Sequence, residues 1–524
     1  MRRTFRDVST ALSLANICFI SAWLVLINPG HYSYYNWEFD PGFSELTGLV
    51  LDVLLLAGLL WTLVSLARRI RHRFVRIVIH FAFLAMLVIP INAALIGHGN
   101  EALASMILGH GWFTILFLLL GGIGLALIIR WHDQVVKLAI FVLLVLSPVL
   151  LANVFSTARL HLKLGPSQDL FSNQTAVRAD KPQGGSHHVV WMIFDEMDQR
   201  MTFAERPSGM ELPEFDRLRQ QAVYAENSYP PAGFTLASLP ALISGKLVSN
   251  VEPTAPNELT LTLDDNKRED WSKIPSVFAE ARGLGFSTAV AGWYHPYCRI
   301  FGNDLDKCDW VSATGQSNPV QGHMTVVKSM RLWARDAFFT IPFAFRLFQE
   351  SYDSGRSEDH IEEYKRVLES ATKVCADPEL NLIMLHFPVP HHPWMYDRRS
   401  GTFSVKRTAD YLDNLALADR TLGEMRRALE AKGMWDSSTI LVTSDHWWRV
   451  APLRNGRRDH RVPFLLKLPG ENEALTYEQP FNSVLIHDLL LDVLTNKITT
   501  PNDASHWLDL HRTLSESPYT RDLP

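Results

Sequence analysis

Side chains able to bind metal follow two apolar runs that lie far apart in the chain. Asp195 and Glu196 follow the run VVWMIF, and Asp445 and His446 follow the run TILVTS. In an α/β domain the carboxyl ends of the central strands form the edge where ligands bind, and carboxylate and imidazole are metal ligands. A polar turn after each strand would use the same residue types, because Asp is a common turn former. The two pairs therefore predict either a metal site or two turns.

A third candidate group lies in PPAGFTLASLPALISGK, residues 230–246. Thr235 follows a Pro and Gly turn there and precedes a helical run, which is typical of a helix N-cap. The same position can serve chemistry, since backbone N–H groups at a helix start favour an anion and a bound cation activates a hydroxyl. Capping and catalysis both remain open for this threonine.

The segment that carries these groups, residues 187–500, alternates between strand-like and helical patterns. This alternation predicts a largely parallel central sheet with helices on both faces, the α/β class. Apolar strand-like runs occur at 189–194, 286–291, 381–387, 438–443 and 462–468, and helical patterns at 213–223, 274–283, 357–374 and 407–432. Acidic residues that follow two strands of one parallel sheet are expected to meet at the same edge.

Residues 1–156 differ from the rest of the chain because long apolar stretches dominate them. Five stretches approach the roughly 20 residues needed to cross a bilayer, which predicts a five-helix transmembrane domain. The predicted spans are 9–27, 47–67, 74–97, 112–129 and 136–155. Arginines crowd residues 68–76, whereas residues 28–46 and 98–111 contain no Lys or Arg, so the basic ends are expected to be cytoplasmic. An odd span count then places the remaining chain outside the cytoplasm of a multi-pass inner-membrane protein, in the periplasm or beyond.

The segments that flank the α/β region are predicted to be irregular. Residues 157–186 have the Pro, Gly, Ser and Gln content of a linker, and residues 501–524 are expected to form a C-terminal tail. The net charge of −5 argues against a nucleic-acid partner, which normally requires a basic domain.

Cysteine usage agrees with an extracytoplasmic α/β region. Cys298 and Cys308 flank a short loop in YCRIFGNDLDKC, where an oxidising compartment would favour a disulfide. The alternative is a pair of unrelated free thiols.

Together the three segments resemble the alkaline phosphatase superfamily, in its sulfatase-like branch, over about residues 187–500. Sulfatases carry the nucleophile three residues before a serine and ten before a glycine, and Thr235, Ser238 and Gly245 reproduce that spacing. A threonine nucleophile on a domain outside five spans is similar to lipoteichoic acid synthases and to the phosphoethanolamine and phosphoglycerol transferases of bacterial envelopes.

The resemblance implies a set of site residues. The metal ligands would be Asp195, Asp445, His446 and the Thr235 oxygen, a mixed set that suits Zn²⁺ or Mn²⁺ better than Ca²⁺. Asp195 is preferred to Glu196 as the acidic ligand because it directly follows the strand. Residues expected at the substrate or at a second metal are His391 in VPHHPWMYD, with His392 beside it, His460 in DHRVPFLLKLPG, His295 in GWYHPYC, and Glu196.

This chain also departs from the family pattern. Trp447 replaces the usual glycine after the aspartate and histidine pair, and Leu239 replaces the arginine that follows the serine in true sulfatases. Because Thr235 occupies the nucleophile position, the formylglycine that sulfatases make from cysteine or serine cannot form there. Phosphoryl chemistry is therefore favoured over sulfate ester hydrolysis.

Three functional hypotheses follow. The first is a membrane-anchored transferase that moves a phosphoryl-linked head group from a membrane lipid donor to an envelope lipid or glycan acceptor through a phosphothreonine. The second is a metal-dependent phosphodiesterase, phosphatase or sulfuric ester hydrolase that uses the same residues. The third is a non-catalytic envelope assembly protein that keeps only the fold.

Overall fold

The chain forms two compact units in a computed structural model. The structure describes residues 2–28, 35–36, 43–67, 73–90, 130–164, 187–313, 325–405, 409–451, 456–457, 459–470 and 473–512. The first unit comprises residues 1–31, 39–167 and 321–349, and the second comprises residues 32–38, 168–320 and 350–524.

The first unit is helical. Its described helices are Arg2–Cys18, Ile20–Ile27, Phe43–Ala67, Arg73–Met86, His132–Leu146, Val149–Leu164 and Val326–Phe339. Two stretches, Phe43–Leu66 and His132–Leu162, are long and apolar enough to cross a membrane, and the first two helices would make a third span if counted together across their 67° bend.

The prediction of five spans is therefore met only in part. The described residues contain two candidate spans, or three with the bent pair. In place of the predicted span 74–97, the helix Arg73–Met86 has 14 residues, short of the roughly 20 that a straight span requires. The predicted span 112–129 and the end of the third lie outside the described residues.

The helix Val326–Phe339 corrects the predicted domain boundary, because the sequence analysis assigned it to the α/β region. Its Trp333 indole donates a hydrogen bond of 3.1 Å to the Glu45 carbonyl. A Cβ on Gly48 would lie 2.7 Å from the Ser329 Cβ, so glycine is what allows the two helices to approach this closely. A helix whose sequence lies inside the predicted α/β segment therefore belongs to the first unit. A prediction that treats each domain as one continuous segment cannot place it there.

The second unit is built on an eight-stranded sheet in the order β14-β2-β13-β12-β1-β9-β7-β8. Its strands are β1 Val189–Phe194, β2 Val223–Ala225, β7 Thr288–Tyr294, β8 Lys307–Ser312, β9 Leu382–Phe387, β12 Thr439–Ser444, β13 Phe464–Lys467 and β14 Leu475–Tyr477. The neighbours from β12 to β8 are parallel, and β13 runs antiparallel to both β12 and β2. The predicted mixed α/β class with a largely parallel sheet is confirmed.

Strand β1 explains why its sequence is apolar at every position. Val189, Trp191 and Ile193 belong to one buried core, and alternate residues such as Met192 and Phe194 belong to a second core. A strand covered on both faces must be hydrophobic throughout, because side chains alternate across the sheet.

Helices supply the other half of both cores. The described helices of this unit are Pro213–Arg219, Thr235–Ser244, Val277–Gly283, Tyr297–Phe301, most of Pro342–Cys375, Tyr411–Ala431, Ile486–Leu494 and Pro501–His511, with short 3-10 turns at Trp271–Lys273, Gly302–Asp304 and Ser483–Leu485 and a π-helix at Arg200–Ala204. Helices therefore cover both faces, as predicted.

Short strands complete the second unit. They are β3 Ser228–Tyr229, β4 Val248–Ala255, β5 Glu258–Leu263, β6 Arg268–Asp270, β10 Tyr396–Asp397, β11 Thr402–Phe403 and β15 Phe481–Asn482. Strands β4, β5 and β6 form a separate antiparallel sheet that the sequence analysis did not predict. Cys298 and Cys308 are joined by a disulfide, as the sequence favoured.

Two predicted boundaries move. The helix Val149–Leu164 continues past residue 156, so the predicted linker begins later, and residues 165–186 lie outside the described part. The helix Pro501–His511 replaces the start of the predicted tail, since Trp507 and Leu508 are buried in the core of the second unit. The capping box of Thr500 and Asp503 starts this helix.

The buried face of this last helix generates a stability prediction. Trp507 is 7% exposed and donates a hydrogen bond of 2.8 Å to Asp492. Trp507→Ala should destabilise the second unit by about 3–5 kcal/mol, because it removes a large core side chain. Leu510→Ala on the same helix is the control, since Leu510 is 60% exposed. Thermal unfolding of both full-length variants in detergent checks this, and equal melting temperatures would contradict the packing of this helix.

Candidate active site

Strand pairing brings the two predicted acidic positions together. Strand β1 pairs in parallel with β12 so that Phe194 lies opposite Ser444, and the residues that follow are Asp195 and Asp445. The Ser444 hydroxyl donates to the Phe194 carbonyl at 2.7 Å and accepts the Met197 N–H at 2.8 Å. This serine locks the two strand ends in register, so the two carboxylates leave the sheet side by side.

Asp195, Asp445 and His446 form a compact and fully buried cluster. One ligand atom from each lies within 4.8 Å of the others. The His446 Nε2 is 3.5 Å from Asp195 Oδ1 and 3.6 Å from Asp445 Oδ2. The structure thus places three of the predicted metal ligands around one point.

Thr235 completes the cluster, but not as a helix cap. It is the first residue of the helix Thr235–Ser244, and Phe234 occupies the cap position without a side-chain hydrogen bond. The Thr235 hydroxyl instead donates to Asp195 Oδ2 at 3.1 Å and lies 3.3 Å from His446 Nε2. The hydroxyl therefore faces the carboxylates, at the helix end where backbone N–H groups favour an anion.

The serine and glycine spacing has a physical explanation in the same helix. Ser238 lies one turn after Thr235, and its hydroxyl donates to the Asp445 carbonyl, which ties the helix to the metal-ligand loop. Gly245 ends the helix with φ +65°, a left-handed conformation that favours glycine. Thr235 therefore begins the helix, Ser238 joins it to the loop that contains Asp445, and Gly245 ends it.

The hydrogen bond of His446 leaves its second nitrogen for a ligand. Its Nδ1 lies 2.9 Å from the Trp447 carbonyl, which can only accept, so Nδ1 carries a hydrogen, and in the neutral imidazole Nε2 then has the lone pair that can bind a cation. Asp195 Oδ1 and Asp445 Oδ2 are buried without a hydrogen-bond partner in the described part of the chain. A lone pair and two unpaired carboxylate oxygens around one point fit a divalent cation.

The electrostatics of the cluster also suit a cation. Burial raises the pKa of Asp195 well above its usual value, and the neighbouring carboxylates of Asp445 and Glu196 raise it further. Such a carboxylate is stabilised in its charged form by an opposite charge in direct contact.

A second group of metal-competent side chains comprises Glu196, His391 and His392. Glu196 Oε2 lies 4.0 Å from His391 Nε2 and 3.9 Å from His392 Nδ1. Glu196 has φ +65°, so the chain turns sharply after β1 and the two adjacent acids serve different groups. Glu196 is thus outside the first cluster, which agrees with the choice of Asp195 as its acidic ligand.

The charge states of this second group also suit a cation. Burial acts to raise the pKa of Glu196, but the nearby histidines, His392 first, and Arg449 lower it to about 2. Burial lowers the pKa of His391 well below its usual value, so the imidazole is neutral near pH 7. An ionised carboxylate and a neutral imidazole are the forms that bind metal.

Two predicted histidines lie elsewhere. His295 is fully buried, with Nε2 3.2 Å from the Thr235 carbonyl, so it lies behind the nucleophile position and not on a substrate-facing surface. Burial lowers its pKa to about 3. His460 packs its ring against Trp447 at 4.2 Å and belongs to neither cluster of the described residues.

His386, which lies in β9 beside β1 and is fully buried, was not predicted from the sequence. Its Nδ1 donates to the Trp293 carbonyl at 2.8 Å, and its Nε2 faces Asp195 Oδ2 at 3.8 Å. Burial lowers the pKa of His386 to about 4. The available signal was an imidazole inside the otherwise apolar run LIMLHF.

These features define the class of protein, an α/β fold with a buried cluster of metal-competent side chains beside the hydroxyl at the start of a helix. The family model named Sulfatase matches residues 187–495, which is more than half of the chain. The chain therefore belongs to the sulfatase family, within the alkaline phosphatase superfamily.

Individual relatives are distant. Arylsulfatase K of Danio rerio is 22% identical over 337 residues, which cover 58% of this chain and 64% of that protein. Among solved structures, the lipoteichoic acid synthase LtaP from Listeria monocytogenes matches with 12% identity and a TM-score of 0.39, covering 62% of this chain and 76% of that one. The phosphonate monoester hydrolase of Agrobacterium radiobacter matches with 14% identity and a TM-score of 0.37, covering 59% and 74%.

The buried cluster generates a metal-binding prediction. His446→Ala should weaken binding of Zn²⁺ or Mn²⁺ at least ~10-fold, because changes even behind a metal ligand cost that much. His506→Ala is the matched control, since His506 is exposed on the last helix. Metal content after dialysis and the rise in melting temperature on metal addition measure the effect. Unchanged values in the His446 variant would show that the cluster is structural.

Proposed function

We propose that this protein is a membrane-anchored, metal-dependent enzyme that transfers a phosphoryl-linked head group from a lipid donor to an envelope lipid or glycan. The observation that carries the proposal is the threonine hydroxyl directed at the Asp195, Asp445 and His446 cluster. Threonine cannot become the formylglycine of sulfate ester hydrolysis, whereas its hydroxyl can attack phosphorus. The sulfatase fold is thus used here for phosphoryl chemistry.

The cation proposed for this cluster is Zn²⁺ or Mn²⁺, held by Asp195, Asp445, His446 and the Thr235 oxygen. When bound, it lowers the pKa of the threonine hydroxyl and offsets charge on the phosphoryl group. The nitrogen and oxygen donor set favours these ions over Ca²⁺.

The chain's own groups account for the first half of the reaction. The Thr235 Oγ1 forms a bond to phosphorus as the bond from phosphorus to the donor alcohol oxygen breaks. Asp195 Oδ2, which accepts the Thr235 hydrogen bond at 3.1 Å, is the nearest base for the hydroxyl proton, which ends on the oxygen of the released donor alcohol. The start of the Thr235 helix stabilises the phosphoryl oxygens.

The second half reverses the bond changes with a new alcohol. An acceptor hydroxyl oxygen bonds to phosphorus as the Thr235 Oγ1–phosphorus bond breaks, and the proton lost by the acceptor hydroxyl ends on the threonine oxygen. Glu196, His391 and His392 provide a second cation position. Arg449, whose N–H donates to Glu196 at 3.2 Å, lies beside this second group.

The same residues serve the alternative function, a hydrolase in which water replaces the acceptor alcohol. Transfer is preferred because the first unit contains helices apolar enough to lie in a membrane, where a lipid donor would be found. Incubation with phospholipid labelled in its head group, with and without envelope extract, separates the two. Label in an envelope lipid or glycan supports transfer, and label released only as a water-soluble head group supports hydrolysis.

A variant of the proposed nucleophile tests the covalent step. Thr235→Ala should fold and, with metal at saturating concentration, should still bind it through Asp195, Asp445 and His446 but lose at least ~10³-fold in kcat, as expected when one member of a catalytic unit is removed. Thr254→Ala, in the exposed sheet of β4, is the control. Intact mass spectrometry after a short exposure to donor should show a phosphoryl-linked adduct on wild type alone. Wild-type turnover by Thr235→Ala would exclude this nucleophile.

The arginine distribution gives a prediction of orientation. An alkaline phosphatase reporter fused after residue 165 should be active, because the segment beyond the last predicted span is expected outside the cytoplasm. The same reporter fused after residue 70, in the arginine-rich loop, should be inactive. A reversed pattern would place the enzyme on the cytoplasmic side and remove its access to envelope acceptors.

A further inference from the structure

Tyr35 is a buried member of the second unit although it lies between the first two predicted spans in sequence. Its side chain is 0% exposed and belongs to the core that contains the Thr235 helix. Its hydroxyl lies 2.6 Å from Nδ1 of His295, a residue 260 positions further along the chain. A polar group buried this deeply at a histidine that contacts the nucleophile residue calls for a specific role.

The direction of the hydrogen bonds follows from elementary chemistry. The Thr235 carbonyl only accepts, so the His295 Nε2 at 3.2 Å must carry a hydrogen. A neutral imidazole has one N–H, which leaves Nδ1 as an acceptor for the Tyr35 hydroxyl. The chain of donors therefore runs from Tyr35 to His295 to Thr235.

The surroundings of His295 hold its ring in place. The rings of Trp271 and Tyr297 approach it edge-on, with centroids at 5.0 and 5.8 Å. Tyr294, which precedes His295, has φ +81°, a backbone conformation that residues other than glycine rarely adopt. This strained backbone sets the direction of the His295 side chain. The ring position is thus fixed by packing, but packing alone does not choose which nitrogen carries the hydrogen.

We propose that Tyr35 is a positioning residue for Thr235, an inference that rests on the proposed function of Thr235 as nucleophile. Its hydroxyl selects the Nε2–H tautomer of His295, and that N–H holds the carbonyl at the first residue of the Thr235 helix. The opposite tautomer would direct a lone pair at the carbonyl oxygen and repel it. Loss of the hydroxyl should therefore disturb the direction of the Thr235 side chain while leaving substrate contacts unchanged.

The kinetic test compares two tyrosines in the full-length, metal-loaded protein, with bis(4-nitrophenyl) phosphate as the probe substrate. Tyr35→Phe keeps the ring and should lower kcat by ~10- to 100-fold with little change in KM, the size of effect that small misplacement produces. Tyr364→Phe is the matched control, because it removes another buried hydroxyl, bonded at 2.8 Å to Thr421. It should keep kcat near the wild-type value.

A double-mutant cycle separates tautomer selection from simple packing. His295→Gln offers an amide N–H to the Thr235 carbonyl and has no tautomers. In that background the Tyr35 hydroxyl therefore cannot act by selecting a tautomer. Adding Tyr35→Phe to His295→Gln should then change kcat by less than about 2-fold. An equal loss in both backgrounds would overturn the inference, because it would show that the hydroxyl acts through packing.

Nitrogen NMR of protein labelled in histidine gives a readout that does not depend on activity. The His295 signals, identified by their absence in His295→Gln, should report hydrogen on Nε2 in the wild type and a tautomer mixture in Tyr35→Phe. Hydrogen on Nδ1 in the wild type would overturn the inference.

Thr235→Ala in the same assay separates failure of the positioning role of Tyr35 from failure of the proposed function. An inactive Thr235→Ala beside a fully active Tyr35→Phe would overturn the role of Tyr35 and leave the proposed function standing. A fully active Thr235→Ala would overturn the proposed function, and the positioning role with it.

Discussion

The parallel pairing of β1 with β12 is the constraint on which the site depends. Its register places Asp195 and Asp445 together, with ligand atoms of the cluster within 4.8 Å of one another and no solvent exposure. Two like charges within 4.8 Å of each other repel by at least about 3.5 kcal/mol at an effective dielectric constant near 20. The fold tolerates this only if a cation or a proton resides there, so the sheet that provides the core of the unit also creates a site that a cation would stabilise.

Two contacts hold the start of the Thr235 helix beside this cluster. Ser238 bonds to the Asp445 carbonyl, so the helix start is held against the loop that supplies two of the ligands. Trp447, where the resemblance led us to expect a glycine, packs over Gly233, at which a Cβ would lie 2.6 Å from the Trp447 ring. Glycine at position 233 therefore leaves room for the indole beside the cluster.

The sequence predicted those parts of the structure that local patterns encode. The apolar runs predicted β1 and β12, and the residues following them predicted the cluster, because strand ends in a parallel sheet meet at one edge. His386 and Tyr35 were not predicted, since their roles depend on a neighbouring strand and on a contact across 260 residues. His460 was placed at the site by the resemblance of its segment to the family, and its ring instead packs on Trp447. Long-range contacts of this kind leave no periodic signal.

The two compact units are not contiguous in sequence, and this bears on how the enzyme must be studied. Residues 32–38 belong to the second unit, and residues 321–349 belong to the first. A fragment beginning at residue 187 would keep Asp195, Thr235, Asp445 and His446 but lose the Tyr35 hydroxyl from His295. It would also separate the helix Val326–Phe339 from Glu45, which accepts the Trp333 hydrogen bond. A domain cut at its family boundary would therefore retain all four proposed ligands and still lack the Tyr35 contact with the histidine that bonds to the Thr235 carbonyl.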